Sequence, residues 1–348
     1  MSNSFSLGKQ WGLRRMQTPQ NHFAMIALDQ RPIIANLVAS KRGVPVAQVS
    51  FKDMIDFKGL IVDSLVQHAS ALLLDPNYAL PAAIDKISAS TGLIVTIEDH
   101  RFKETFGGRL SHSIENWSVE KIKRAGADAV KALVWYRPDA DAEVISHQKN
   151  YVETIGRECH HLDIAFVLEL LVYPFSLNTD ITSDYVKFPE KLPELVLQSV
   201  SEFTHPRFGV DLLKLESPLF ASSLPECDGS LSHLKAQTVF NEMGRLCSAA
   251  NIPWVMLSAG VSSEQFYRVM EYAYAAGANG FLAGRSIWWD AMQHFPSLEK
   301  CAEQLQEQGG TAFRGLDELT SRAASAWHAD YSSLKNINVE GQFCATYL

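Results

Sequence analysis

The sequence lacks the features that mark membrane, secreted and nucleic-acid-binding proteins. Its 348 residues contain no apolar run approaching the ~18 residues of a membrane span. Residues 1–16 are polar and basic with no apolar segment behind them, so a secretory signal is not expected. The net charge is −8, with both signs scattered along the chain and no basic face suited to a nucleic-acid backbone. We therefore expect a cytoplasmic protein with no membrane or nucleic-acid partner.

Cysteine is scarce as well. The five cysteines are odd in number and widely spaced, and no two form a Cys-x-x-Cys pair. This pattern argues against a disulfide framework and indicates reduced thiols. Apolar residues, in contrast, make up 47% of the chain, which is typical of a globular protein with a large core.

A short apolar run followed by a longer amphipathic stretch recurs eight times along the chain. The runs are apolar at successive positions, as expected for strands covered on both faces of a parallel sheet. They are Phe23–Leu28, Ala71–Leu74, Leu93–Ile97, Ala129–Val134, Ile164–Leu168, Asp211–Leu215, Trp254–Leu257 and Gly280–Ala283. Helices are predicted between them, among others at Asp53–His68, Ser118–Ala125, Glu143–Cys159 and Glu194–Phe203.

Eight strand–helix repeats predict an α/β fold, a single (β/α)₈ TIM barrel over about residues 20–295 of one domain spanning 1–348. A doubly wound sheet is the alternative, but no Gly-x-Gly-x-x-Gly follows the first strand. Insertions are expected at Leu177–Pro206 and Ser217–Leu234, which are rich in Pro and Ser. The residues before the barrel form an extension, and those after Pro296 are expected to add peripheral helices.

Two lysines inside apolar strands are the most informative features. Lys131 lies in the fourth run and Lys214 in the sixth, while Glu169 ends the run between them. One buried strand lysine could simply be a wall residue paired with a carboxylate. Two of them on different strands, with a carboxylate between, favour an active site, because a nearby cation and partial desolvation lower the pKa of an imine-forming amine.

The seventh and eighth strands end in sequences suited to a phosphate. Ser258-Ala-Gly260 follows the seventh strand and Gly284-Arg285 follows the eighth. Barrel phosphate sites commonly lie in these two loops, where glycine lets backbone N–H groups approach the anion. The alternative is two ordinary turns beside a surface arginine.

The other strand ends leave more than one interpretation open. Asp29-Gln30-Arg31 after the first strand could cap the following helix, and the residues 98–101 could form a solvated loop. A metal site would need several converging His or carboxylate ligands, and only His100 lies just beyond a strand end. No metal and no other cofactor is therefore expected.

The strand-end motifs, taken in order, resemble the tagatose 1,6-bisphosphate aldolase family. The similarity extends from about Phe23 to Trp288. The motifs are Leu-Asp29-Gln-Arg31, Gly-Ala-Asp-Ala-Val-Lys131, Phe-Val-Leu-Glu169-Leu-Leu, Arg-Phe-Gly-Val-Asp-Leu-Leu-Lys214, Leu-Ser258-Ala-Gly-Val and Leu-Ala-Gly284-Arg285-Ser-Ile-Trp.

The resemblance implies a class I aldolase that cleaves D-tagatose 1,6-bisphosphate to dihydroxyacetone phosphate and glyceraldehyde 3-phosphate, and it implies these roles. Lys214 matches the Schiff-base lysine, Glu169 the acid/base carboxylate, Lys131 the second lysine and Asp29 a carboxylate near the imine. Gln30 and Arg31 match residues that reach the substrate, and Ser258, Gly260, Gly284 and Arg285 match the loops around the ketone-side phosphate. A homodimer or homotetramer is the common expectation for such barrels.

The resemblance supports the type of reaction more firmly than the identity of the sugar. Aldolases of 6-deoxy-6-sulfofructose 1-phosphate share the same elements, and fructose 1,6-bisphosphate is a further possible substrate. Arg31, Arg101 and Lys103 are candidates for the distal end of the substrate. A sugar-phosphate sensor that regulates a partner is the alternative from another class, and measurable turnover distinguishes it.

Overall fold

The computed structural model describes residues 6–175 and 184–328 of the chain. All eight predicted runs form strands, with bounds within three residues of those expected. The barrel strands are β1 (Phe23–Leu28), β2 (Ala71–Leu74), β3 (Gly92–Thr96), β6 (Ala129–Trp135), β7 (Ala165–Leu171), β8 (Leu212–Leu215), β9 (Trp254–Met256) and β10 (Gly280–Ala283). Strand β7 continues past Glu169, which therefore lies inside the strand rather than at its end.

The eight strands form one closed parallel barrel in the order β1-β10-β9-β8-β7-β6-β3-β2. This closure confirms the predicted TIM barrel and excludes the doubly wound sheet. A short antiparallel hairpin, β4 (Lys103–Thr105) and β5 (Gly108–Leu110), follows β3 at the mouth of the barrel. Insertion residues 177–183 lie outside the described residues.

Helices precede β1, separate the barrel strands and follow β10. They are α1 (Leu7–Arg15), α2 (Pro32–Arg42), α3 (Phe51–Leu65), α4 (Ala79–Ala83), α5 (Val119–Arg124), α6 (Ala142–His161), α7 (Leu192–Phe203), α8 (Leu231–Ala249), α9 (Ser263–Ala275), α10 (Arg285–Met292), α11 (Leu298–Gln304) and α12 (Gly310–Ala323). At α9 the capping box of Ser262 and Gln265 is present, because each side chain binds the other's backbone N–H. The described part of the chain contains no helix that is long and apolar enough to cross a membrane.

The core has two parts, one inside the barrel and one between the barrel and its helices. Helix α1 covers the N-terminal end of the barrel, where Leu13 and Met16 join the interior cluster. Lys9 of this helix forms a buried ion pair with Asp211 at 2.8 Å. The extension before β1 therefore closes the end of the barrel opposite the mouth.

The close approach of β10 to β1 depends on a glycine. Gly280 has a φ of +155° and pairs with Phe23, and a Cβ at this position would lie 1.9 Å from the Phe23 carbonyl oxygen. A larger residue would push the two strands apart. Gly280 thus permits the last strand to close the barrel against the first.

Candidate active site

The two strand lysines and Glu169 meet inside the barrel. Neighbouring strands β6, β7 and β8 carry them, and all three side chains are buried. Glu169 Oε2 lies 2.9 Å from Lys214 Nζ and 2.7 Å from Lys131 Nζ. One carboxylate oxygen therefore contacts both amines. A carboxylate in this position can transfer protons to and from a reacting amine.

Lys131 is surrounded by carboxylates. Its Nζ lies 2.7 Å from Asp29, 2.6 Å from Glu98 and 2.7 Å from Glu169. Burial opposes the charge, but the carboxylates of Asp29, Glu169 and Glu98 raise the pKa of Lys131 well above its ordinary value. Lys131 therefore remains a cation at neutral pH and is poorly suited to act as a nucleophile.

Asp29 acts in this cluster as a fixed negative charge. Burial would raise the pKa of its carboxyl, but Lys131 and Lys214 together lower that pKa far below the usual range. Such a carboxylate is a weak base. Of the predicted catalytic carboxylates, Glu169 is better placed for proton transfer, because it also contacts Lys214.

Glu98 belongs to the same cluster, although the sequence left it open as a possible solvated residue. It is 5% exposed, contacts Lys131 and accepts a hydrogen bond from the Thr96 hydroxyl. The next residue, Asp99, instead pairs with Arg101, whose side chain is 78% exposed. Glu98 immediately follows the end of a buried apolar run, and this position was the available sequence signal.

The two predicted phosphate loops lie against each other. Ala259 and Gly260 both have positive φ, +50° and +84°. A Cβ on Gly260 would lie 2.6 Å from the guanidinium carbon of Arg285, so this cation lies directly over the glycine backbone. Burial lowers the pKa of Arg285, and the carboxylates of Asp29 and Glu169 oppose that shift, which places the arginine within electrostatic range of the catalytic cluster.

Two buried polar atoms after β1 have no partner within the described part of the chain. Among residues 6–175 and 184–328, no hydrogen-bond partner is found for the buried Gln30 Oε1 or Arg31 Nε. Arg31 also donates from Nη2 to the Glu98 carbonyl oxygen at 2.9 Å. Gln30 approaches Gly284, since a Cβ there would lie 3.0 Å from Gln30 Nε2. A buried polar atom without a partner is costly, so these atoms are well suited to bind a ligand.

Glu216, which was not among the predicted site residues, lies two residues beyond Lys214. Its Oε1 accepts a hydrogen bond from the Val172 N–H at 2.5 Å. Burial raises the pKa of this carboxyl to about 8, and the nearby Glu169 contributes to the shift. Glu216 therefore carries a proton at neutral pH.

Replacing Glu216 by glutamine is expected to make stability less dependent on pH. The folded protein binds this proton more tightly than the unfolded chain, so the contribution of Glu216 falls as pH rises from 4.5 to about 8. Wild type should lose up to about 5 kcal/mol relative to Glu216→Gln over this window. Urea denaturation at pH 5, 7 and 9 measures the difference. Glu143→Gln, at an exposed glutamate, is the control, and a pH-independent difference for Glu216→Gln would contradict the assignment.

Fold and site together define a (β/α)₈ enzyme with two buried amines that share a carboxylate. The chain belongs to the DeoC/LacD aldolase family: the model of the DeoC/LacD family aldolases matches residues 23–290. Family membership establishes the protein as an aldolase.

Curated relatives agree with this assignment over nearly the whole chain. A protein named tagatose 1,6-diphosphate aldolase from Listeria monocytogenes serotype 4b (strain CLIP80459) is 33% identical over 339 residues, covering 95% of this chain and 97% of its own. Tagatose 1,6-diphosphate aldolase 2 of Enterococcus faecalis (strain ATCC 700802 / V583) is 32% identical, covering 94% and 97%.

Solved structures show the same fold at low identity. Fructose-bisphosphate aldolase from Plasmodium falciparum matches with a TM-score of 0.64 and 11% identity, covering 94% of this chain and 99% of its own. A Schiff-base-forming fructose-1,6-bisphosphate aldolase matches with a TM-score of 0.53 and 17% identity, covering 90% and 99%. At these identities the similarity shows the barrel fold alone.

Proposed function

We propose that this protein is a class I aldolase that cleaves D-tagatose 1,6-bisphosphate through a Schiff base on Lys214. The products are dihydroxyacetone phosphate and glyceraldehyde 3-phosphate. The observation that carries the proposal is the shared carboxylate, since Glu169 lies within 3 Å of both Lys214 and Lys131. The names of the curated relatives support the choice of sugar.

Lys214 is the nucleophile in the proposed mechanism. Its neutral amine attacks the C2 ketone of the open-chain sugar, and Glu169 supplies and removes the protons needed to dehydrate the carbinolamine. The resulting iminium accepts the electron pair of the C3–C4 bond and becomes an enamine, while the C4 hydroxyl loses its proton to Glu169 and the aldehyde leaves. Protonation of the enamine at C3 and hydrolysis of the iminium by water then release dihydroxyacetone phosphate and restore the Lys214 amine. The iminium is the electron sink of the reaction, so the proposal requires no metal.

The loops after β9 and β10 position the ketone in this proposal. Ser258, Gly260 and Gly284 provide a glycine-rich backbone, and Arg285 provides a forked cation for the C1 phosphate. Gln30 and Arg31 contact the sugar near the same end. The polar atoms of Gln30 and Arg31 that find no partner among the residues the structure describes support this assignment.

Product formation in EDTA is the direct test. Tagatose 1,6-bisphosphate, fructose 1,6-bisphosphate and 6-deoxy-6-sulfofructose 1-phosphate are each supplied, and dihydroxyacetone phosphate is detected with glycerol 3-phosphate dehydrogenase and NADH. We expect the highest kcat/KM with the tagatose compound. Faster cleavage of the sulfonate would reassign the enzyme as a sulfosugar aldolase, and binding without turnover would favour the sensor.

Gly260→Ala is expected to lower kcat/KM by about 10- to 100-fold, because the added Cβ displaces Arg285 from the phosphate. The loss should appear mainly as a higher KM. Gly126→Ala is a matched control: its φ of +85° is almost the same, and a Cβ there meets nothing within 4 Å. Equal effects of the two variants would show that backbone strain alone is responsible.

We also propose that the enzyme functions in the cytoplasm as a homodimer or homotetramer. The reduced state expected of its widely spaced cysteines supports the first part, and the common assembly of such barrels supports the second. Light scattering coupled to size-exclusion chromatography tests the assembly. A mass of 38.7 kDa at all concentrations would contradict it.

A further inference from the structure

We propose that Arg109 binds the anionic group at the C6 end of the ketose, a phosphate monoester or a sulfonate. This inference rests on the proposed function, which requires a sugar with a second anion far from C1. It names the residue that recognises that anion. The sequence had offered Arg31, Arg101 and Lys103 for this end of the substrate instead.

Three aromatic rings surround the guanidinium of Arg109. Its central carbon lies 4.2 Å from the ring centre of Phe102, 4.8 Å from that of Trp135 and 4.7 Å from that of Tyr173. The rings restrict the arginine without neutralising it, because a cation over an aromatic face keeps its charge and its in-plane N–H donors. Only 13% of the side chain is exposed.

The aromatic cage stands above the catalytic cluster. Trp135 lies four residues beyond Lys131 on β6, and Tyr173 lies four residues beyond Glu169 in the chain. Side chains an even number of residues apart on a strand share a face, and four residues advance about 13 Å. The cage therefore lies further toward the mouth of the barrel than the lysines, and the proposal puts the C6 end of a ketose bound at Lys214 beside Arg109.

The hairpin that carries Arg109 is fixed in place. The Arg109 backbone N–H donates to the Tyr173 hydroxyl at 2.9 Å, and a Cβ on Gly108 would lie 2.2 Å from the same oxygen. The Gly107 carbonyl accepts from the Asp141 N–H at 3.1 Å. The guanidinium is therefore positioned before any ligand arrives, which lowers the entropic cost of binding.

Arg109 differs from the neighbouring arginines in its acidic contacts. Arg137 binds Asp139 and Asp184 at 2.8 Å, and Arg101 binds Asp99 at 3.1 Å. The ion pair of Arg109 with Glu104 joins Nε and Oε1 at 3.5 Å, which is long for a charge-assisted hydrogen bond. An incoming oxyanion can give Arg109 the short contacts that Arg137 and Arg101 already make with aspartates.

The test compares substrates with and without the distal anion. We expect Arg109→Met, which keeps the apolar stem, to lower kcat/KM for tagatose 1,6-bisphosphate by about 30- to 100-fold. The value for tagatose 1-phosphate should stay within about twofold. Arg109→Lys keeps the charge but loses the paired N–H donors of the guanidinium, so its kcat/KM for tagatose 1,6-bisphosphate should lie between those of wild type and Arg109→Met. The same comparison with 6-deoxy-6-sulfofructose 1-phosphate shows whether phosphate or sulfonate is preferred.

Equal losses on both substrates would overturn the proposal, because they would indicate a structural role. Arg101→Met is the competing variant. If Arg101→Met, and not Arg109→Met, lost the preference for the bisphosphate over the 1-phosphate, the proposal would also be overturned. If wild type cleaves neither sugar, the proposed function fails, and calorimetric binding of the two sugars replaces kinetics. If wild type binds the bisphosphate more tightly than the 1-phosphate and Arg109→Met does not, the proposed anion subsite stands. If wild type shows no such preference, the subsite is rejected.

Discussion

Lys214→Arg is expected to reduce aldol cleavage by at least about 10⁴-fold. Arginine fits a long basic side chain beside Glu169, but its guanidinium does not lose a proton at accessible pH and so cannot add to a ketone. Steady-state cleavage of tagatose 1,6-bisphosphate measures the loss. Substrate affinity should change much less, because the phosphate loops are intact.

Two controls make this result specific. Circular dichroism and thermal unfolding check that Lys214→Arg folds, and Lys52→Arg changes a lysine whose side chain is 81% exposed. The control should retain full activity. If Lys214→Arg kept more than about 1% of wild-type turnover, imine formation on this residue would be refuted.

Lys58→Met is expected to destabilise the protein by about 3–5 kcal/mol. Lys58 lies on α3 and forms an ion pair with Asp75, and both side chains are 0% exposed. Its Nζ also donates to the Leu28 carbonyl oxygen at 2.8 Å. Removing the lysine leaves the Asp75 carboxylate buried without its cation, which costs more than the lost contact itself. Urea denaturation measures the change in the free energy of unfolding.

Comparison with a surface lysine isolates the effect of burial. Lys52 lies on the same helix and pairs with Asp56 at 2.7 Å, with its side chain largely exposed. Lys52→Met should change stability by less than about 1 kcal/mol. The double variant Lys58→Met/Asp75→Asn should recover much of the loss, because the uncompensated charge is gone. Equal losses of stability in Lys58→Met and Lys52→Met would contradict this account of the Lys58–Asp75 ion pair.

The strands were predictable because each is apolar at successive positions. Burial on both faces leaves that pattern in the sequence, and Phe23–Leu28 is buried at all six residues. Lys131 and Lys214 were recognisable for the same reason, as charges interrupting buried runs. Which of the two is the nucleophile could not be derived from spacing. It depends on Lys131 meeting three carboxylates from separate parts of the chain, one just after β1, one just after β3 and one within β7.

Other features leave no comparable pattern. Lys58 occupies a helix where a lysine usually faces solvent, and only the tertiary fold buries it between the Leu28 carbonyl and Asp75. Arg101 and Arg109 both follow β3 in the chain, the first in a loop and the second on β5. The hairpin places Arg109 in an aromatic cage and leaves Arg101 exposed. This difference depends on Trp135, at the end of β6, and on Tyr173, which follows β7.

The most direct test of the account is borohydride trapping with dihydroxyacetone phosphate in EDTA, read by intact mass spectrometry and peptide mapping. Reduction of the imine fixes the sugar phosphate to the lysine that formed it. The account predicts one adduct per chain, located on Lys214 and dependent on the ketose. No adduct, or an adduct on Lys131, would contradict it.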